Sequence, residues 1–271
     1  MTITAAATYN AAADSYDAPP LAFRERFGRR TIDGLALTAG SRVLDVCCGS
    51  GASALAAAEQ VGPAGSVLGL DLADDLLALA RTKARRLGLR NVHFEQGDLE
   101  ALDHRTGSFD AVVCAFGIFF VPDMAGAVAR LMRLVRPGGA LAVTTWGPRQ
   151  FEPANGAFWE AVRGEAPALH QTSKPWERIT EPDSLRALFS GARGGEVVVQ
   201  AEETMHPLAA ADDWWTIVLG SGYRGTVEQL DPEARERVRR RMLEWIERHG
   251  VTAVETNVLY AVARPAPHRV A

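Results

Sequence analysis

The 271-residue chain is 47% apolar and 23% charged, a composition typical of a globular enzyme built as one domain with room for an insertion. No apolar run reaches the roughly 18 residues of a membrane span, and the first residues lack the basic start and apolar core of a signal peptide. The net charge of −4 argues against a nucleic-acid partner, and three cysteines without metal-ligand spacing predict a reducing cytoplasm and no metal site.

Residues 1–40 are predicted to form an N-terminal helical segment. Residues 21–35 place apolar side chains at helical intervals, so this part is expected to pack on the core. Tyr9 and Tyr16 precede it in an alanine-rich stretch that has little to bury. Two interpretations stay open for that stretch: a frayed terminus, or a lid that lays an aromatic ring over a bound cofactor. We take residues 1–40 as a lid.

From residue 41 onward, apolar strand patterns alternate with helical patterns. This alternation indicates right-handed crossover units and an α/β fold with a Rossmann-like, doubly wound parallel sheet. Two more strand patterns follow the fifth, separated by a helical insertion at about residues 206–250, and they predict a seven-stranded, mostly parallel sheet with an antiparallel last strand. The predicted strands are 42–47, 66–71, 91–95, 109–116, 140–146, 196–201 and 257–263, with a turn at 136–139 before the fifth.

The first strand leads into Cys47-Cys48-Gly49-Ser50-Gly51 and then into an alanine-rich helix. Glycines let the backbone approach a ligand, and the first N–H groups of the helix have no partners in the helix, so this loop is suited to a polar ligand. Asp71 ends the next strand, 20 residues after Gly51, a spacing typical of ribose recognition. The pattern fits two cofactors, a nicotinamide dinucleotide through G-x-G-x-x-A and S-adenosylmethionine.

Three features favour S-adenosylmethionine. Asp45 stands just before the loop, where it would repel a pyrophosphate but tolerate the ammonium group of a methionyl moiety. Gly97-Asp98-Leu99 closes the third strand, where a carboxylate can accept the adenine amino group and the leucine N–H can reach a ring nitrogen. The chain also ends in a strand, which suggests a terminal hairpin that completes seven strands.

Five ordered motifs within residues 40–146 resemble those of class I S-adenosylmethionine-dependent methyltransferases, in particular the small-molecule branch that includes the ubiquinone and menaquinone C-methyltransferases. The motifs are Val43-Leu44-Asp45-Val46-Cys47-Cys48-Gly49-Ser50-Gly51, Gly69-Leu70-Asp71-Leu72, Gly97-Asp98-Leu99, Phe109-Asp110-Ala111-Val112 and Arg136-Pro137-Gly138-Gly139. The first motif of the family usually reads D-x-G-x-G-x-G. Here a cysteine replaces its first glycine, so we expect the backbone at that residue to avoid a positive φ.

The resemblance implies that residues 41–271 form a methyltransferase domain and that its loops hold the cofactor. It assigns Asp45 to the loop and to water around the methionyl ammonium, the Cys47 carbonyl to the ammonium itself, and Asp71 to both ribose hydroxyls. The lid interpretation adds Tyr16. The other implied cofactor contacts are Gly49, Ser50, Gly51, Leu72, Gly97, Asp98, Leu99, Ala115 and Phe116.

The sequence assigns the catalytic residues less well. Methyl transfer from a sulfonium needs placement more than side-chain chemistry, and a general base is required only for a nucleophile that carries a proton of high pKa. His206, which opens the insertion after a strand, is the candidate base, against the structural role that a lone histidine more often has. An apolar acceptor pocket is predicted from five aromatic residues: Phe119, Trp146, Trp214, Trp215 and Tyr223.

Together these patterns predict a cytoplasmic enzyme that methylates a small, apolar or aromatic molecule at oxygen, carbon or nitrogen. Its expected partner is that small molecule, without nucleic acid or membrane, and a homodimer is considered. Two alternatives stay open: an oxidoreductase that uses NAD(P) on the same glycine loop, and a protein that keeps the methyltransferase fold and cofactor without transferring a methyl group.

Overall fold

The computed structural model describes residues 4–170, 174–192 and 194–265. The predicted lid, residues 1–40, therefore begins three residues before the described part, and the predicted domain, residues 41–271, ends six residues after it.

Two helices precede the sheet, α1 (Ala5–Ala12) and α2 (Phe23–Asp33). The side chain of Thr4 accepts the N–H of Ala7 at 3.2 Å and so caps α1. Helix α2 buries an apolar face that includes Phe27 and Ile32, as its helical spacing predicts.

The core is a seven-stranded sheet with the order β3-β2-β1-β4-β5-β9-β6. Strands β1 to β5 are parallel, and β9 runs antiparallel to both β5 and β6. This confirms the predicted Rossmann-like sheet and its antiparallel last strand. The sheet strands are β1 (Arg42–Val46), β2 (Ser66–Asp71), β3 (Val92–Gln96), β4 (Phe109–Ala115), β5 (Val135–Trp146), β6 (Gly194–Glu202) and β9 (Val258–Pro265), and β7 (Met205–Pro207) pairs separately with β8 (Ala253–Glu255).

Helices connect the strands and form a cluster between β7 and β8. Among the described residues, none of the helices combines the length and apolar character needed to cross a membrane. The connecting helices are α3 (Ala52–Val61), α4 (Asp74–Arg86), α5 (Met124–Leu134), α6 (Ala154–Glu165) and α7 (Pro182–Ala187), and the cluster holds α8 (Ala211–Leu219), α9 (Arg224–Val227) and α10 (Pro232–His249).

The prediction of a turn at residues 136–139 is wrong, because β5 begins at Val135 and these residues form a bulge within it. The pairing with β4 jumps there from Phe109–Val135 to Ala111–Ala140. A Cβ on Gly139 would lie 2.4 Å from the Asp110 carbonyl oxygen, so the absent side chain is what lets the bulge close on its neighbour.

The strand order reverses between β1 and β4: the chain proceeds from β1 to β2 and β3 on one side of the sheet, and from β4 to β5 on the other. In doubly wound folds such a switch point opens a crevice at the carboxyl ends of the strands. The glycine loop after β1 and the segment after β4 therefore face the same crevice, and the N-terminal helices lie over it.

Candidate cofactor and acceptor cavity

A cavity of about 240 Å³ occupies the crevice. Its walls come from the N-terminal segment, from the loops after β1 to β5, and from the start of α9. Most of the predicted cofactor residues line it: Tyr16, Cys47, Gly49, Ser50, Asp71, Leu72, Gly97, Asp98, Leu99, Ala115 and Phe116. Asp45 and Gly51 are not among its lining residues: Asp45 is buried in β1, and Gly51 ends the loop as the N-cap of α3.

Asp71 holds the loops after β1 and β2 together. Its Oδ2 accepts the N–H of Gly49 at 2.8 Å, and its Oδ1 accepts the N–H of Ala73 at 2.9 Å. Burial raises the pKa of this carboxyl, and the two backbone N–H groups act in the opposite direction. The carboxylate thus stands at the cavity wall with its orientation fixed by the backbone, as a ligand hydroxyl pair would require.

Asp45 is fully buried at the end of β1 and ties the loop to the start of α3. The hydroxyl of Ser53 donates to its Oδ2 at 2.6 Å, while its Oδ1 has no hydrogen-bond partner in the described part of the chain. Burial raises the pKa of Asp45 to about 7, with the Ser53 bond acting against it and the charge of Asp71 adding to it. A nearby ligand cation would therefore favour the ionised form.

We expect this buried carboxyl to make the unfolding free energy of the protein depend on pH. Its folded-state pKa, about 7, lies above the unfolded value of about 3.9, so its contribution is complete below pH 4 and is lost as the pH rises through 7. Asp45→Asn should flatten the pH dependence of the unfolding free energy by about 3.5 kcal/mol between pH 4 and pH 7.5. Urea unfolding at both pH values measures this change, and the exposed Asp33→Asn is the matched control. The same change in unfolding free energy between the two pH values in the wild type and both variants would contradict the prediction.

The expectation that Cys47 avoids a positive φ is wrong: its φ is +58°. The left-handed conformation costs a residue with a Cβ about 1–2 kcal/mol, so the surrounding structure must support it. Gly117 provides the space, since a Cβ there would lie 2.3 Å from the Cys47 Cβ. Phe116, directly before that glycine, also has a positive φ, +55°. Two strained residues with side chains thus meet at the predicted methionyl end.

The loop after β3 forms the opposite end of the predicted cofactor site. Gly97 donates its N–H to the carbonyl oxygen of Asp71 at 3.0 Å, which places Asp98 and Leu99 beside the end of β2. Asp98 Oδ1 accepts the N–H of Glu100 at 2.8 Å and fixes the turn. Leu99 is buried and Leu72 is 42% exposed, so one apolar side chain supports the wall and another stands free to cover a flat ring.

The N-terminal segment forms one wall of the cavity. The Tyr16 hydroxyl lies against Gly49, where a Cβ would be only 2.9 Å away from it. Arg24 stacks its guanidinium 3.8 Å from the Tyr16 ring centre and donates to the carbonyl oxygens of Tyr16 and Gly220. Tyr9 packs edge-on against Tyr16 and against Phe120. The segment therefore joins the glycine loop, the insertion and the segment after β4.

The predicted acceptor residues divide between the cavity and the core. Phe119, Trp146 and Tyr223 line the cavity. Trp214 and Trp215 are buried and are absent from its lining; Trp214 packs behind it against Phe151 and Phe158. Both tryptophans belong to α8, which buries them together with Ile217 and Val218.

His206 is also absent from the cavity lining. It lies in β7 and packs edge-on against Phe23, with ring centres 5.0 Å apart. Burial lowers the pKa of this imidazole. Because its contacts are to the N-terminal helix, the structure does not bring His206 to the acceptor end.

The sequence analysis did not identify several of the cavity residues, among them Arg24, Gln150, Phe151 and Trp176. Gln150 and Phe151 follow the carboxyl end of β5, an edge where ligands of such sheets bind, and that position could have indicated them. No sequence pattern signals Arg24 or Trp176. The described residues contain no group of three or more His, Cys, Asp or Glu arranged to hold a metal ion.

Part of the sequence is similar to known methyltransferases. A family model described as a methyltransferase domain matches residues 43–139. The chain is 36% identical over 137 residues to aklanonic acid methyltransferase from Streptomyces sp. (strain C5). The aligned residues make up 51% of this chain and 62% of that protein. The chain is also 37% identical over 100 residues to demethylmenaquinone methyltransferase from Lactococcus lactis. That alignment covers 37% of this chain and 40% of that protein.

The fold extends beyond the matched sequence. A solved structure of a putative methyltransferase from an antibiotic biosynthesis pathway of Anabaena variabilis superimposes with a TM-score of 0.61 at 17% identity, covering 88% of this chain and 96% of that one. The sequence matches, by contrast, span about two fifths to three fifths of those two curated relatives.

Proposed function

We propose, on the premise that residues 43–139 form a class I methyltransferase domain with S-adenosylmethionine as cofactor, that the chain methylates a small apolar or aromatic molecule at oxygen, carbon or nitrogen. One observation carries the proposal: residues from three separated sequence motifs and from the ends of β4 and β5 converge on one cavity whose far end is aromatic. Two relatives are named for small molecules, aklanonic acid and demethylmenaquinone, which supports an acceptor of that size.

The order of residues along the cavity gives the proposed placement of the cofactor. Asp71 would hold the ribose, the segment at Asp98 and Leu99 would hold adenine, and the strained pair Cys47 and Phe116 would hold the methionyl end. The side chain of Phe116 lies 4.5 Å, ring centre to ring centre, from Trp146, so the methionyl end borders the aromatic acceptor end. A methyl group bound there would face the acceptor.

The chain's own contribution would be alignment and exclusion of water. When bound, S-adenosylmethionine supplies an electrophilic methyl group on a sulfonium. An in-line displacement then needs the acceptor atom held in a near-attack position, which rigid aromatic walls provide. Tyr223 is the acceptor-end hydroxyl; burial raises its pKa, and it donates to Asn155 Oδ1 at 2.7 Å. It is therefore held protonated as a donor and is unsuited to remove a proton from the acceptor.

The same geometry argues against the dinucleotide alternative. Asp45 is buried directly under the glycine loop, and Asp71 is bonded to the loop N–H of Gly49, an N–H that a pyrophosphate would need. Two carboxylates at this loop favour a ligand that is positively charged there.

Calorimetric titration with S-adenosylmethionine, S-adenosylhomocysteine and NAD(P) tests the cofactor. We expect micromolar binding of the first two and none of the dinucleotides; the reverse would overturn the proposal. A product heavier by one methyl group, found by mass spectrometry after incubation with an aromatic extract and S-adenosylmethionine, would separate methyl transfer from cofactor binding without transfer.

We also propose that residues 1–40 act as a lid, with the helical insertion at about residues 206–250 as its seat. Lys83 of α4 donates to Ser50 Oγ at 2.9 Å and lies 3.0 Å from Asp17, and Ser50 donates to Asp17 at 2.6 Å. These contacts tie the lid to the glycine loop. On the other side, the buried Thr8 lies against Gly225 of α9.

The lid proposal predicts a kinetic effect. Lys83→Met keeps the side-chain stem but removes both polar contacts, which should raise the dissociation rate of S-adenosylhomocysteine about fivefold, the value of one charge-assisted bond near the surface. Stopped-flow displacement measures it. Arg85→Met, an equivalent change on the exposed face of the same helix, is the control. Equal release rates in the two variants would mean that the lid does not affect cofactor binding.

Two further points belong to the proposal. The three free cysteines support a reducing compartment such as the cytoplasm. The negative net charge of the chain supports a small molecule rather than a nucleic acid as partner, and sedimentation at micromolar concentration tests whether the chain forms a homodimer.

A further inference from the structure

A second cavity of about 280 Å³ adjoins the acceptor end of the first. The two share Gln150 and Trp176 as common wall. The first cavity is lined at that end by aromatic rings, whereas the second, which we call the side cavity, is lined mainly by polar groups: Arg149, Gln150, Glu152, Asn155, Lys174 and Glu177.

Gln150 is held between the two cavities by a strained loop. Its neighbours Arg149 and Phe151 both have a φ of +60°. Non-glycine residues persist in this conformation only where the surroundings fix it, and such strain concentrates at functional positions. Here Glu255 fixes it: its carbonyl oxygen accepts the Phe151 N–H at 2.7 Å, and its carboxylate accepts Arg149 Nε at 2.8 Å.

The amide of Gln150 has an unused acceptor. Its Oε1 is buried and has no hydrogen-bond partner among the described residues, and no other side-chain atom of the side-cavity lining shares both properties there. An unpaired buried acceptor costs free energy of order 1–3 kcal/mol unless a ligand or water satisfies it. A donor group on a ligand would recover that cost.

Asn155 and Glu152 of the side cavity are already engaged in hydrogen bonds. Asn155 accepts from the Tyr223 hydroxyl and from Trp159 Nε1, and its Nδ2 donates to Glu152 Oε1 at 3.0 Å. This network forms a fixed polar floor. It also connects the floor of the side cavity to Tyr223, a wall of the acceptor cavity.

The side cavity has no excess of positive charge. Lys174 is 9% exposed, and its Nζ lies 3.6 Å from Glu177 Oε1, beyond hydrogen-bond distance. Arg149 pairs with Glu255 at 2.7 Å, and Glu152 supplies a second carboxylate. With no excess positive charge, the lining does not favour a carboxylate or phosphate. A hydroxyl fits better, since it is neutral and can donate to the Gln150 Oε1.

We infer that the acceptor is an aromatic molecule with a hydroxyl group remote from the methylated atom, and that this hydroxyl enters the side cavity and bonds Gln150. The inference rests on the proposed function and names its substrate class. The rings of Phe119, Trp146 and Phe151 would hold the aromatic part, and the side cavity would select the end of the molecule that enters first.

The test uses two naphthalene probes: 2-methoxynaphthalene, which has no hydroxyl group, and 2,6-dihydroxynaphthalene, which presents a hydroxyl whichever end enters the side cavity. Each is titrated calorimetrically into protein saturated with S-adenosylhomocysteine. We expect the dihydroxy probe to bind about tenfold more tightly, as one hydrogen bond to a buried unpaired acceptor implies. Gln150→Leu should reduce the difference to less than threefold, while Gln60→Leu, the same change at an exposed position of α3, should leave it intact.

The outcomes separate this inference from the proposed function. Equal affinities of the two probes, a preference that survives Gln150→Leu, or binding of neither probe overturns the inference. A tighter complex with 2-naphthoate than with the dihydroxy probe also overturns it and points to an acidic acceptor. In each case, the proposed function still holds if the wild-type protein binds S-adenosylhomocysteine. If the wild-type protein does not bind it, the proposed function is wrong as well. Each variant is checked for wild-type cofactor affinity, so misfolding is recognised.

Discussion

Asp71→Ala is expected to weaken S-adenosylhomocysteine binding by about 100-fold or more. A buried carboxylate that takes two ribose hydroxyls makes two charge-assisted bonds, each worth about 1.5–3 kcal/mol. The same side chain holds the N–H groups of Gly49 and Ala73, so its removal also releases the loop that would form the methionyl end. The two effects act in the same direction on the dissociation constant, which calorimetry measures.

A graded series separates the two effects. Asp71→Asn keeps the size and one acceptor, so it should retain the loop better than alanine and lose about tenfold in affinity. Asp74→Ala removes a carboxylate that is largely exposed and paired with Arg81 on α4, and it should change the affinity by less than twofold. If Asp71→Ala also binds within twofold of the wild type, the ribose does not lie at this carboxylate.

The sheet was predictable because its strands are encoded locally. Each of the parallel strands is a short apolar run bounded by turns, and such runs separated by helices permit few topologies. The convergence of most predicted cofactor residues on one cavity follows for the same reason: they lie directly after strands, where the sheet itself positions them. The bulge at residues 136–139 was missed because pairing with β4, a long-range interaction, extended a strand across a sequence that locally favours a turn.

The acceptor end was less predictable because it is assembled from distant segments. Trp214 and Tyr223 lie within ten residues of each other, yet one is in the core behind the cavity and the other lines it, and only helix packing decides between them. His206 had a suitable position along the chain but lies against Phe23 of α2, an element whose packing the strand pattern does not specify. Gln150 depends on a backbone held by Glu255, more than 100 residues away.

Gly117→Ala is expected to destabilise the protein by about 3 kcal/mol, although its φ of −117° suits alanine. The reason is the contact with Cys47: a Cβ on Gly117 would lie 2.3 Å from the Cys47 Cβ and 2.7 Å from its Sγ. The Cβ of Cys47 is fixed by the backbone and cannot move away, so the loops after β1 and β4 must separate. Because these loops meet at the proposed methionyl end, S-adenosylhomocysteine affinity should fall as well.

The same contact predicts a compensating pair. Cys47→Gly removes both clashing atoms and also relieves the positive φ at that residue, worth about 1 kcal/mol, so the single variant should keep cofactor affinity within threefold. In the Cys47→Gly/Gly117→Ala double variant, the added methyl then meets mainly the Cys114 Sγ at 3.2 Å, a contact that a small shift relieves. We expect the double variant to recover at least half of the stability lost in Gly117→Ala, measured by urea unfolding. Gly191→Ala, where an added Cβ meets nothing within 4 Å, is the matched control. Additive effects of the two substitutions would mean that the Cys47 conformation does not depend on Gly117, because only residues in contact show a coupling free energy of this size.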